Sequence, residues 1–482
     1  MRAAIPVTLL VAAVVVAIGC AGSGPPPGAT TSGTWVDRDG DGLLERGPGQ
    51  PLLDRTDLAP PARPLRTLAT FAQLTDAHVM DPQSPARVPF LDRLGSPFAS
   101  TFRPQEALTS QVLVETVRTL NRLPLDAVVE TGDLVDNDQA NEYSEALTAL
   151  RGGIVRPDSG ARGYQGVQTA ANGDPFYYRP GVDAPRHPGL LRRAERPFRS
   201  PGLRAPWFPV AGNHDVLVQG IVPPTARTNA IATGGSRAVG LAPGVRLPSE
   251  SALSDAAVDR LLAAGLPGPV VRTAPDPDRR ELGPASAIRR LIAASGHGRL
   301  NGGLLDYTFD IGTSARAIVL DAARRDAGST GEIRPRQLAW LQMQLSSADR
   351  RWVLVFSHQP LASSAGGSRA LALLDHDPRV VAAIAGHTHR NEIVPRRSPA
   401  GGYWLITTAS LIDYPQQARA FRLVATTGGG VALETWMVDH GSGNGLARAS
   451  LELSFLDWQG GRPGRFAGSR RDRNVRLFLR RR

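Results

Sequence analysis

Trp207-Phe208-Pro209-Val210-Ala211-Gly212-Asn213-His214-Asp215 decides how the rest of the chain is read. An apolar run stops at a glycine and is followed by three polar side chains able to hold a metal or move a proton. Such a run closed by Gly-Asn predicts a buried strand entering a turn. Four more strand-like runs likewise end at polar residues able to bind a metal, two of them through a glycine. Leu68–Leu74 leads into Thr75-Asp76-Ala77-His78, and Asp126–Glu130 into Thr131-Gly132-Asp133. Trp352–Phe356 leads into Ser357-His358, and Val380–Ala385 into Gly386-His387-Thr388-His389. Five of the nine histidines fall at these ends, whereas His187, His297, His376 and His440 belong to no such pattern and read as structural or surface residues. In open α/β sheets, ligands bind outside the carboxyl ends of the strands. One histidine at a strand end is ordinarily a hydrogen-bonded structural residue; metal-binding side chains at all five ends in one chain make a site.

Further elements fill in around them. Helices are predicted over 104–122, 139–150 and 335–347, from apolar residues at helical spacing and from prolines at two of the starts. Tyr307–Ile311 with Arg316–Asp321 predicts a hairpin, and 403–408, 421–426 and 431–438 predict strands. Two connections, 140–206 and 216–300, far exceed the roughly 30 residues of a crossover unit. Both leave strand ends that carry site residues. They are expected to fold back as a cap, with Phe176, Tyr177, Tyr178, Arg179 and Arg237 able to contact a phosphate or its organic group, the alternative being a surface embellishment far from the site.

In order, the ends read D-x-H, G-D-x-x-D, G-N-H-D, H and G-H-x-H, a set that resembles the calcineurin-like metallophosphoesterase superfamily. The resemblance spans the framework from about 67 to 440 and leaves the two insertions uncovered. It implies an α/β (α+β) fold, a four-layer αββα sandwich of two mixed sheets. It also implies two divalent or mixed-valence metal ions (Mn, Fe or Zn). Asp76, His78, Asp133 and His389 match one ligand set; Asp133, Asn213, His358 and His387 match the other, with Asp133 bridging. Imidazole and carboxylate donors suit those metals. By the same resemblance a bridging hydroxide is the nucleophile, His214 is the general acid and Asp215 orients it. The expected activity is metal-dependent hydrolysis of a phosphate ester, monoester or diester. The rival readings are a non-catalytic envelope binding protein on the same fold and a secreted nuclease. Purple acid phosphatases carry a tyrosine three residues after the bridging aspartate. This chain has Asp136 there, so no tyrosinate–iron(III) colour is expected.

Residues 1–20 predict a secretory signal: a charged start, an apolar run from Ala3 to Ile18, then small residues. Cys20, the sole cysteine, follows directly, and this resembles a bacterial lipoprotein signal in which the thiol is acylated; Ala17 stands where such signals usually carry leucine. The expectation is an extracytoplasmic protein with membrane attachment through Cys20, or plain secretion with cleavage near Gly19. Residues 21–66 predict a tether and a polar segment. Within it, Asp37, Asp39 and Asp41 form half of a calcium loop. Pro48 replaces the closing glutamate, with Glu45 the nearest substitute and a polar turn the alternative.

A single cysteine excludes a disulfide framework and a cysteine-based zinc site. All 55 basic residues are arginine, and the net charge of +11 is concentrated at one end. Residues 462–482 hold nine arginines against one aspartate, which leaves +3 on the other 461 residues. The body is therefore near neutral, and no specific nucleic-acid partner is expected. The 441–482 extension reads as an arginine-rich tail, solvated or with Val475–Leu479 adding an edge strand.

Overall fold

The computed structural model describes residues 28–95, 101–247, 254–263, 265–441, 443–457 and 465–480. The signal segment and Cys20 lie outside the described residues. Among those described, no helix is long and apolar enough to cross a membrane.

Two mixed sheets form the framework. The seven-stranded sheet runs Leu53–Arg55, Val475–Leu479, Val431–Asp439, Gln417–Thr426, Pro64–Leu74, Ala127–Glu130, Trp207–Pro209. Its last three strands are mutually parallel, and the long central strands pair antiparallel. The six-stranded sheet runs Tyr307–Ile311, Ala315–Val319, Trp352–Phe356, Val380–Ala385, Tyr403–Thr407, Glu392–Arg396, with four parallel strands at its centre. Trp352–Phe356 and Val380–Ala385 are buried along their whole length, as parallel strands covered on both faces must be.

The sheets face each other through aromatic side chains. Phe71 stacks on Phe421 in its own sheet at 4.6 Å and meets Phe356 of the other edge-on at 5.9 Å. Phe208 stacks on Phe309 across the gap at 3.6 Å. Helices Thr109–Leu120, Ala140–Arg151, Pro284–Ser295 and Gly445–Leu456 cover the outside of the larger sheet. Pro335–Ser346 and Gly367–Leu374 pack together over the smaller one. The result is an αββα sandwich.

Buried polar ties hold the two sheets in register near the carboxyl ends of the strands. The Gln73 amide donates to the Ala385 carbonyl at 3.0 Å and to Thr131 Oγ1 at 2.8 Å, and it accepts from Thr408 Oγ1 at 2.7 Å. Arg419 donates to Thr408 Oγ1 and Asn391 Oδ1, both at 2.9 Å, and to the Asp472 carbonyl at 2.8 Å. A buried polar group is costly unless it is bonded, so these groups are satisfied only when both sheets and the tail are in place.

The framework reaches beyond 67–440 on both sides. Leu53–Arg55 pairs parallel with Val475–Leu479, which in turn pairs with Val431–Asp439, so the tail strand is interior to the sheet and not its edge. Ala29 bridges to Val438. Two of the tail arginines have acidic partners in the body: Arg476 reaches Glu434 and Asp54, each at 2.8 Å, and Arg471 reaches Asp57 at 3.1 Å.

Other boundaries shift by a few residues. Strand pairing after Trp207 stops at Pro209, and the first helix opens with a tight turn at Glu106–Leu108 before Thr109. The insertions contain short two-stranded antiparallel ribbons, Gly153–Val155 with Phe198–Ser200 and Ser236–Ala238 with Val270–Arg272.

Candidate metal centre

Parallel pairing brings the strand ends together. Phe71 pairs with Ala127 and Val128 with Trp207, so Asp76, His78, Asp133, Asn213 and His214 all emerge at one edge of the larger sheet. His358, His387 and His389 emerge from the paired strands Trp352–Phe356 and Val380–Ala385 of the smaller sheet. The turns are tight: Asp76, His78, Asp133, His387 and His389 have φ of 52°, 42°, 52°, 67° and 55°. Left-handed backbone at a non-glycine residue costs on the order of 1–3 kcal/mol and persists only where its surroundings over-determine it. Here they do. Asp76 N donates to the Gly132 carbonyl at 2.9 Å and His78 N to the Asp133 carbonyl at 3.0 Å, so the two loops run side by side. Gly212 and Gly386 allow this approach. A Cβ at Gly212 would overlap the Asp133 carboxylate and amide, and one at Gly386 would overlap the Thr75 hydroxyl and the Asp76 carboxylate.

Six of the seven side chains expected to bind metal form two clusters, Asp76–His78–His389 and Asp133–His358–His387, whose nearest donor atoms lie within 4.8 Å of one another. Asp133 stands between them, its Oδ2 3.0 Å from His358 Nε2 and 3.8 Å from His78 Nε2. His389 Nε2 is 3.3 Å from Asp76 Oδ1 and 3.3 Å from His78 Nε2. Asn213, the seventh, is buried beside them; its Oδ1 accepts from Gln359 Nε2 at 3.0 Å and its Nδ2 donates to the Gly220 carbonyl at 3.0 Å.

The imidazoles are anchored from behind. His78 Nδ1 bonds Asp136 at 3.1 Å, His389 Nδ1 bonds Asp413 at 2.5 Å, and His358 Nδ1 bonds the Thr131 carbonyl at 2.8 Å. A proton held at Nδ1 leaves the Nε2 lone pair facing the centre, the arrangement that metal-binding histidines require. The buried His358 Nε2 makes no hydrogen bond despite its closeness to Asp133. An orphaned imidazole nitrogen opposite shared carboxylates fits a cation held between them.

The electrostatics point the same way. Burial opposes ionisation of Asp133, but His358 and His214 hold its carboxyl well below the usual range. Burial likewise opposes protonation of His358 and His389, yet Asp133 lifts the first to about 9 and Asp76 lifts the second to about 10. His387 is driven down to about 3 by burial and by the charge on His358. The carboxylates thus favour charge on His358 and His389, while burial favours the neutral form of His78 and His387. A bound cation would displace those protons, so metal uptake releases acid.

One expected role is not what the structure shows. The Asp215 carboxylate does not touch the His214 ring; it accepts backbone N–H groups of Gly212 at 2.8 Å and of Asp133 and Leu134 at 2.9 Å. Asp215 thus clamps the two turns together. The His214 ring is set instead by the Asp136 carbonyl, 2.8 Å from Nδ1, and its backbone N–H donates to Asp133 Oδ1 at 2.8 Å.

The sequence reading also missed a charged support. Asp413 bonds Arg103 Nε at 2.6 Å as well as His389, while Asp136 lies 3.3 Å from Arg87 Nε, whose Nη1 is 2.9 Å from Glu106. Phe466 of the tail stands 6.3 Å from the His389 ring, and its carbonyl accepts from Asn391 N at 2.9 Å, which makes the tail part of the rim.

Four of the five cap residues expected to face a substrate are used elsewhere; the fifth, Arg237, is buried with its Nε and Nη1 unpartnered. Phe176 and Tyr177 pack with Phe102, and Arg179 is paired with Asp183 at 2.8 Å. The Tyr178 hydroxyl bonds the Pro185 carbonyl. Asp37, Asp39 and Asp41 do cluster, but their oxygens accept backbone N–H groups of their own turn, and Glu45 pairs with Arg38 at 2.8 Å.

No protein-family model and no curated protein matches the sequence. Solved structures do match the fold. A dimetal phosphatase from Danio rerio is 15% identical, with 78% of this chain and 98% of that one covered, at a TM-score of 0.41. A purple acid phosphatase from yellow lupin (Lupinus luteus) seeds is 13% identical, with 79% and 53% covered, at 0.35. The structure of PhoD is 14% identical, with 80% and 72% covered, at 0.34.

Proposed function

We propose that the protein is a dinuclear metal-dependent hydrolase of phosphate esters, exported from the cytoplasm and attached to the membrane through Cys20. The observation that carries the reaction is the pair of Asp/His clusters with the Asp133 carboxylate standing between them. In this reading one ion is held by Asp76, His78, Asp133 and His389, the other by Asp133, Asn213, His358 and His387. A bound pair of Mn, Fe or Zn ions would polarise the phosphoryl oxygens and acidify an attacking water.

The chain's own residues supply the rest. Asp136, Asp413 and the Thr131 carbonyl fix the imidazoles, so no reorganisation is needed when charge develops. His214 is partly exposed, with its Nδ1 against a carbonyl. That leaves Nε2 as the atom that hands a proton to the departing alcohol. Proton donation of this kind contributes about 10²–10⁴-fold.

The test is a screen of the purified protein, from Ala21 onward, against phosphomonoesters, phosphodiesters and pyrophosphates with Mn, Zn or Fe. Metal-dependent turnover of at least one class is expected. Metal binding without turnover of any of them would favour a non-catalytic binding protein.

A further inference from the structure

We infer that a cavity beside His214 is a binding site for an apolar alkyl or aryl group. On the reading as a phosphoesterase, on which this assignment rests, that group is the hydrocarbon part of the departing alcohol. The chamber measures about 160 Å³ and is walled almost wholly by carbon.

Its connection to the catalytic centre is one turn. Gly220 (φ 66°) lies so close to the His214 ring that a Cβ there would overlap Cδ2 and Nε2, and its carbonyl accepts from Asn213. The preceding Gln219 donates to Asp136 Oδ2 at 2.8 Å. The same turn contributes Val218, Ile221 and Val222 to the wall of the cavity. Phe90, Ala238 and Leu262 also line it. An alcohol protonated at His214 Nε2 therefore leaves beside the turn that borders the cavity.

The chamber exists because two small apolar clusters stay apart. Phe90 and Ala238 belong to one, while Ile221, Val222 and Leu262 pack with Val258 and Ala327 in the other, and neither is part of the main core. Apolar walls offer a water no partners, and a dry cavity of about 150 Å³ accommodates a ligand the size of benzene. Unfilled apolar space is destabilising. This one shares the Val218–Val222 turn with His214, so on this assignment the lining residues of the second insertion select the alcohol.

The experiment compares n-alkyl phosphates and di-n-alkyl phosphates, methyl to octyl, on the metal-loaded protein. In parallel it measures the melting temperature of metal-free protein with 1-hexanol or methanol. The kcat/KM should rise roughly fourfold per added methylene until about six carbons fill the chamber. Ala238→Phe, which fills it, should flatten that rise, read as the ratio of hexyl to methyl ester turnover. 1-Hexanol but not methanol should raise the melting temperature of the wild type and not that of the variant. If Ala238→Phe does not fold, Leu262→Phe takes its place, and the wild-type profiles stand without either. Turnover with a flat chain-length profile, or a preference that survives Ala238→Phe, would overturn the assignment. A hexanol shift without turnover of any ester would sink the hydrolase reading and leave the cavity assigned as an apolar site.

Discussion

Replacing Asp413 with asparagine keeps the shape of the side chain and removes one buried charge. The carboxylate accepts His389 Nδ1 at 2.5 Å and Arg103 Nε and Nη2 at 2.6 and 3.2 Å, and both Asp413 and Arg103 are buried. Breaking a buried ion pair from one side costs about 3–5 kcal/mol, because the remaining charge loses its compensation. The metal affinity should fall as well, by the roughly 10–100-fold that loss of an orienting partner behind a histidine ligand typically costs. The fall should be confined to one ion. His389 belongs with Asp76 and His78, whereas His358 is held independently by the Thr131 carbonyl. Calorimetric titration of metal-stripped protein with Mn, read beside a thermal melt, checks both quantities. Asp413→Asn should show one binding constant weakened and the other unchanged. Adding Arg103→Met should restore stability without restoring affinity. Equal weakening at both sites, or no weakening at either, would refute the view that Asp413 positions His389.

His214→Gln should keep its metals and lose about 10²–10⁴-fold in kcat on esters of simple alcohols, but much less on nitrophenyl esters, which need little protonation. Equal losses across leaving groups would remove His214 from the acid role. Asp215→Asn should lower the melting temperature more than it alters the dependence on leaving group, because its partners are backbone amides. A selective loss on poor leaving groups would place it beside His214 after all. Glu281 gives a pH signature. Burial raises its carboxyl from 4.5 to about 7, while Thr228 bonds it at 2.7 Å. The folded chain holds that proton more tightly than the unfolded one. The contribution to stability is therefore complete below pH 4.5, declines as pH rises, and is gone above about 7, with a ceiling of about 3 kcal/mol. Glu281→Gln should flatten urea-unfolding stability across that window; an unchanged slope would contradict the assignment.

The site was legible because its donors follow directly on strand ends, where hydrophobic runs stop and motif spacing fixes their order. Asp413 carries no such mark. It lies 24 residues beyond His389 and reaches it only because Tyr403–Thr407 returns parallel to Val380–Ala385. Asp215 misled because adjacency to His214 in sequence is not contact: its side chain turns to the amides of Gly212, Asp133 and Leu134. The cap expectation failed for Arg179 for a local reason, since Asp183 stands four residues on and satisfies it. Leu53–Arg55 is too short for a periodic signal. Its pairing with Val475–Leu479 joins chain ends that no pattern relates.

The central claim is that two ions share the Asp133 carboxylate, and elemental analysis of active protein tests it most directly. The account predicts two metal ions per chain in the wild type. In Asp133→Asn both should be lost together on dialysis against a chelator that the wild type withstands. One tightly held ion in a fully active enzyme, or an Asp133→Asn protein that sheds one ion and keeps the other, would contradict it.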